Sequence, residues 1–184
     1  MVFEKVHRDG REGQMKIIFL DHDGVICLQK QWGSRFSKKA KKRGDIFDQF
    51  CPKAVKILNS LLEKTEAEIV VTSTWRLHCS LEYMKELYLE RGIIKAPIAF
   101  TEDLENVWDD NDWFNEYKDF ERLSAGIRSK EILVWLDKNK EVDRWVAIDD
   151  LPLERLKYFV RTGSDTEGIK QSGKFDTILN ILND

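Results

Sequence analysis

Lys16-Ile17-Ile18-Phe19-Leu20-Asp21-His22-Asp23-Gly24-Val25 is the stretch on which the fold turns. An unbroken apolar run here feeds straight into two carboxylates on alternate positions. Such a run reads as a strand covered on both faces, as in a parallel sheet; a strand with one wet face would alternate. Gly24 permits a sharp turn, so that Asp21 and Asp23 can both reach one crevice at the strand's carboxyl end.

Outward from this stretch, similar short runs recur at Glu68 to Val71, Pro97 to Phe100, Trp145 to Ile148 and Tyr158 to Val160. Helical patterns lie between them. Pro52 to Lys64 puts Val55, Leu58 and Leu62 on one stripe behind a starting proline. Leu81 to Arg91 follows a capping Ser80, turns Leu81, Met84, Leu87 and Tyr88 inward and stops at Gly92. Lys130 to Asn139, capped by Ser129, repeats the pattern with Ile132, Trp135 and Leu136. Strands alternating with helices imply an α/β fold, a Rossmann-like doubly wound parallel sheet.

Two segments break the alternation and read as short flap or cap insertions. A basic flap at about 28–50 holds Lys30 to Arg43, with seven Lys or Arg, no acid, and Trp32 and Phe36 interleaved. An insertion at about 101–127 is acidic and aromatic, with Asp109, Asp110, Asp112, Trp108, Trp113 and Phe114. The expected organisation is a flexible segment over residues 1–14 and a single domain over 15–184. A chain of 184 residues with 42% hydrophobic and 34% charged residues has room for one good core.

The net charge of −3 averages segments of opposite sign and excludes little by itself. Three dispersed cysteines, Cys27, Cys51 and Cys79, lack the spacing of a zinc site and fit a reducing, cytoplasmic setting. The first residues are polar where a signal peptide is apolar, and no run is long enough to span a bilayer, so no membrane partner is expected.

Chemistry concentrates where strands end. Glu68 to Val71 runs into Thr72-Ser73-Thr74-Trp75-Arg76, and Trp145 to Ile148 into Asp149-Asp150. Open α/β sheets bind ligands at these carboxyl edges, so Asp21, Thr72 and Asp150 are predicted to converge. Paired acids suit a hard, oxygen-seeking cation such as Mg²⁺, which would let one carboxylate attack phosphorus while the other moves protons. His22, between the two acids, reads as structural. Arg76 is open to two readings: a contact to substrate phosphate, or the partner of a nearby acid with Trp75 packed beside it.

These motifs resemble the haloacid dehalogenase (HAD) superfamily. Its first motif, Asp-x-Asp-x-Thr/Val, is matched by Asp21, Asp23 and Val25; its second by Thr72; and its fourth, an acidic pair, by Asp149-Asp150. Val70 to Arg76, Arg128 to Asn139, Arg144 to Asp150 and Phe159 to Ile169 resemble, more narrowly, the HAD domains of Swiss Army Knife RNA-repair proteins. The resemblance implies a phosphatase in which Asp21 forms an aspartyl phosphate and Asp23 is the acid/base. It implies phosphate contacts from Thr72 and Ser73, and Mg²⁺ held by Asp21, Asp23, Asp149 and Asp150. The third-motif cation is Arg128 or Lys130, both near the expected helix start.

An acid at position 23 favours complete hydrolysis, which needs a proton shuttle. The expected substrate is a phosphomonoester, with a polynucleotide end (RNA) or a nucleotide as the leading classes, and a phosphoprotein or a silent binding role as alternatives. Lys38, Lys39, Lys41 and Lys42 either contact a phosphate backbone or form a solvated turn. Neither insertion is long enough for a large enclosing cap, which favours an open site and a bulky substrate.

Overall fold

The computed structural model describes residues 14–29, 38, 46–104, 120–163 and 166–184. Five parallel strands, β1 (Met15–Leu20), β2 (Glu68–Val71), β3 (Ala99–Phe100), β4 (Val142–Asp149) and β5 (Phe159–Arg161), form one sheet ordered β3-β2-β1-β4-β5. The helices are α1 (Pro52–Thr65), α2 (Leu81–Glu90), α3 (Phe120–Lys138) and α4 (Lys174–Asn183), with short 3₁₀ turns at Thr74–His78 and Gly168–Lys170.

The opening run explains the layering. Ile17, Ile18, Phe19 and Leu20 are all completely buried. Because strand side chains alternate, Ile18 and Leu20 join Leu58 and Leu62 of α1 and Ile178 and Leu182 of α4 on one face. Ile17 and Phe19 join Ile132 and Trp135 of α3 on the other. The sheet is thus doubly wound, as predicted. The chain moves outward from β1 to β2 and β3, then returns to β4 on β1's other side. That reversal opens a crevice beside the carboxyl end of β1.

Pro52 starts α1 as predicted, and Glu66 ends it in the left-handed region (φ 59°) with its N–H donating to the Leu62 carbonyl. Ser80 caps α2 by accepting the Tyr83 N–H at 3.2 Å. Two strands are shorter or shifted: Ala99–Phe100 where Pro97 to Phe100 is expected, and Phe159–Arg161 where Tyr158 to Val160 is expected.

The larger correction concerns α3. The expected helix starts at Lys130, yet the observed one starts at Phe120. Ser129 lies inside it and bonds back to the Ala125 carbonyl at 2.7 Å instead of capping its start. Residues 120–127, assigned above to the acidic insertion, are therefore helix, and Arg128 and Lys130 sit mid-helix. The periodicity is concealed because α3 turns Arg128, Ser129 and Glu131 inward with its apolar residues. Residues 105–119, nearly all of the expected N-terminal segment, and most of the basic flap lie outside the described residues.

Candidate active site

β1 hands Asp21 to the crevice in register, its N–H still donating to Ile148 of β4 at 3.1 Å. The chain then winds tightly: the His22 carbonyl accepts the N–H groups of Val25, Ile26 and Cys27 at 3.1, 2.9 and 2.7 Å. Gly24 sits at φ +71°, and a Cβ there would lie 2.5 Å from Oδ2 of Asp150. Glycine thus supplies both the left-handed turn and the space in which Asp150 approaches Asp21.

The late segment buttresses this turn. Thr162 donates its hydroxyl to the Gly24 carbonyl at 3.0 Å, and Ile169 its N–H to the Val25 carbonyl at 3.0 Å. Gly168 (φ +53°) is needed there, because a Cβ would come within 2.2 Å of the Val25 carbonyl oxygen.

Asp21, Asp149 and Asp150 can each offer a carboxylate oxygen within 4.8 Å of the others. Arg128 reaches into this group, with one Nη 3.0 Å from Asp21 and 2.8 Å from Asp149. The other oxygen of Asp149 accepts the Leu151 N–H at 2.9 Å, which fixes that carboxylate. Burial pushes Asp21 up to about 7; Arg128 opposes the shift, while Asp149 and Asp23 add to it. Burial likewise raises Asp149 against the pull of Arg128. For Arg128, the two carboxylates outweigh desolvation and hold the guanidinium firmly charged. Asp21, Asp149 and Asp150 together make an all-oxygen donor set that fits a hard divalent cation.

Asp23 occupies the other side of the turn, half-buried, and accepts the Trp75 indole N–H at 2.7 Å. Burial raises this carboxyl, while hydrogen bonds from Trp75 and Cys27 pull it down. Beside it opens a cavity of about 600 Å³ lined by Asp23, Ile46, Phe47, Thr74, Trp75 and His78. Thr72 ends β2 fully inside, its N–H bonded to the Leu20 carbonyl at 3.1 Å. Ser73 is also buried, and its hydroxyl caps the 3₁₀ turn by accepting the Trp75 N–H at 3.4 Å.

The structure therefore brings Asp21, Asp149, Asp150 and Arg128 together, with Asp23 on the same turn and Thr72 on the neighbouring strand end. Lys130 is exposed on α3, and so is Lys38; Lys39, Lys41 and Lys42 lie outside the described residues. Arg76 is turned inward, 2.7 Å from Glu131, so of its two readings the geometry takes the ion pair. His22 is enclosed by Trp75, Phe50 and Tyr88, with Nε2 2.6 Å from the Tyr88 hydroxyl. Burial, with Arg91 and Arg128, keeps its pKa well below the usual histidine value. Glu131, Thr162 and Gly168 are the structural contributors that motif reading passed over. An inward acid one turn beyond Arg128 would have signalled Glu131; nothing local marks Thr162.

Parallel topology, a central strand ending in Asp-x-Asp and acids on the adjacent strand end define a Rossmann-like α/β domain of the HAD type. Residues 17–172 match the family described as the HAD domain in Swiss Army Knife RNA repair proteins, and the chain belongs to that family. No curated protein and no solved structure matches it. Among the described residues, no helix is long and apolar enough to cross a membrane.

Proposed function

We propose that this chain is a Mg²⁺-dependent phosphomonoester hydrolase working through an aspartyl phosphate on Asp21. The observation that carries the reading is the cluster of Asp21, Asp149 and half-buried Asp150, the first two paired with Arg128, with Asp23 on the same turn facing an open cavity. Asp21, Asp149, Asp150 and the Asp23 backbone carbonyl would hold the ion. When bound, Mg²⁺ supplies the positive charge that keeps Asp21 ionised and shields phosphoryl oxygens.

In the first step an Asp21 oxygen attacks phosphorus, the bond from phosphorus to the ester oxygen breaks, and Asp23 donates its proton to that oxygen. Asp23 then takes a proton from water as the water attacks phosphorus and the bond from phosphorus to Asp21 breaks, releasing phosphate and restoring Asp21 as a carboxylate and Asp23 as the acid. The raised pKa of Asp23 suits a group that must be an acid first and a base second. Thr72, Ser73 and Arg128 would bind the transferring phosphoryl group, with Arg128 rather than the exposed Lys130 as the neutralising cation.

The leaving group would occupy the cavity next to Asp23. Its volume, and the apolar walls from Ile46, Phe47 and Trp75, support a bulky, ring-bearing alcohol such as the nucleoside at a polynucleotide end. The family's association with RNA repair supports the same class. Three free cysteines, two of them buried, support a reducing compartment such as the cytoplasm.

The test is hydrolysis of an aryl phosphate by the parent and by Asp21→Asn, with and without Mg²⁺. It is followed by 3′- and 5′-phosphorylated RNA ends, mononucleotides and a phosphopeptide. Metal-dependent turnover lost in Asp21→Asn, and fastest on RNA ends, is expected. Preference for mononucleotides would make the chain a nucleotidase, preference for the phosphopeptide a protein phosphatase, and no turnover at all a binding module.

A further inference from the structure

We infer that Arg76 is a positioning residue that locks the phosphate-binding strand end of β2 to helix α3, and thereby to Arg128, through a buried ion pair with Glu131. The inference rests on the phosphatase reading for its kinetic consequence, though not for its geometry.

Arg76 lies four residues beyond Thr72, on the 3₁₀ turn that follows β2. Its guanidinium distributes its donors over three separate segments. One Nη reaches the carbonyls of Thr72 at 2.6 Å and Ser73 at 3.1 Å, closing the loop that ends β2. Nε donates to the Thr101 carbonyl at 3.1 Å, and the other Nη to Glu102 at 3.4 Å, just past β3. That same Nη meets Glu131 at 2.7 Å, with both side chains only 4% exposed. Glu131 in turn accepts the Leu104 N–H at 3.2 Å, so the acid also holds the chain leaving β3.

Glu131 stands three residues after Arg128 on α3, so the two project from neighbouring turns of one helix. One of them contacts Asp21 and Asp149, and the other contacts Arg76. A continuous path therefore runs from the strand-end carboxylates through Arg128 and Glu131 to Arg76 and the Thr72 carbonyl. A planar fork of five N–H donors makes arginine suited to this and lysine not, because one ammonium cannot reach two strand ends and a helix together. The guanidinium is consumed by these partners, so it is an anchor for the groups that meet phosphate. Misplacing such groups by about 1 Å can cost about a hundredfold in rate.

Arg76→Lys retains the buried charge and removes the fork. Its kcat on an aryl phosphate, normalised to folded protein by near-UV circular dichroism, should fall about ten- to a hundredfold with KM within about threefold. A second variant, Arg76→Met with Glu131→Leu, removes both charges and avoids an unpaired buried acid. It should keep a cooperative thermal transition and the low kcat. In both variants, amide hydrogen exchange should accelerate at Thr72 and Thr101, whose N–H groups bond Leu20 and Val71. The control Lys95→Met loosens only the opposite end of β2, where Lys95 meets Glu68, and should leave kcat unchanged. Parent-like kcat in the folded double variant, or unchanged exchange at Thr72 and Thr101, would overturn the inference. An inactive parent would sink the phosphatase reading instead, and the exchange data would still decide whether Arg76 locks the strand end.

Discussion

Helices α1 and α3 cover opposite faces of one sheet and bury opposite kinds of chemistry. α1 presents Ala54, Val55, Leu58, Leu61 and Leu62 to the core. α3 presents Ala125 and Ile132, but also Arg128, Ser129 and Glu131. Burying charge costs several kcal/mol per ion before pairing, and replacing buried pairs by apolar residues is often stabilising. α1 is therefore where the fold gains stability, and α3 is where it gives some up to hold a charged cluster in place. Substitutions on α1 should change how much protein is folded, and substitutions around α3 what the folded protein does.

Asp21→Asn is the strongest test of that division. It should reduce turnover at least about a thousandfold while leaving the melting temperature level or higher, because a neutral amide escapes the burial cost of the carboxylate and its repulsion from Asp149 and Asp23. A large fall in melting temperature would mean that the cluster stabilises the fold. Arg128→Met strands Asp21 and Asp149 and should lose about 3–5 kcal/mol in denaturant titration as well as activity, with added Mg²⁺ restoring part of the stability. On the other helix, Leu58→Ala should lose about 2–5 kcal/mol while retaining the parent's kcat per folded molecule. A kcat loss there would break the comparison.

A smaller effect comes from the aromatic cluster behind the turn. His22 is held neutral in the fold, so the folded state takes up fewer protons than the unfolded chain. Stability from this source is fully present above the unfolded value of about 6.5 and is lost as pH falls, at up to about 1.4 kcal/mol per pH unit. His22→Gln should flatten that dependence between about pH 6.5 and 5 in equilibrium unfolding. The least effect is at Ser80, where substitution by alanine removes the cap of α2 and should lose about 1 kcal/mol.

The same contrast governs what the sequence discloses. The β1 run, α1 and α2 are legible because their inward positions are apolar and their starts carry Pro52 and Ser80. The strand-end acids are legible because topology gathers strand ends at one edge, whatever the loops between them do. α3 is obscured because its inward face is part polar, and a hydrophobic period cannot register Arg128 or Glu131. The inward turn of Arg76 was open because a guanidinium suits both phosphate and carboxylate, and only the position of Glu131 on the folded helix selects between them.

The hydroxyl of Thr162 reaches the Gly24 carbonyl across 138 residues of sequence. During synthesis, the Asp21 turn would leave the ribosome before its brace and wait unsupported until Thr162 and Gly168 emerge. The site is thus finished only once Thr162 and Gly168 have been made, after the sheet that carries it. A stalled nascent chain ending before Thr162 should hold the Asp21 turn without its brace, and refolding should show the central strands protected from hydrogen exchange before the Gly24 turn.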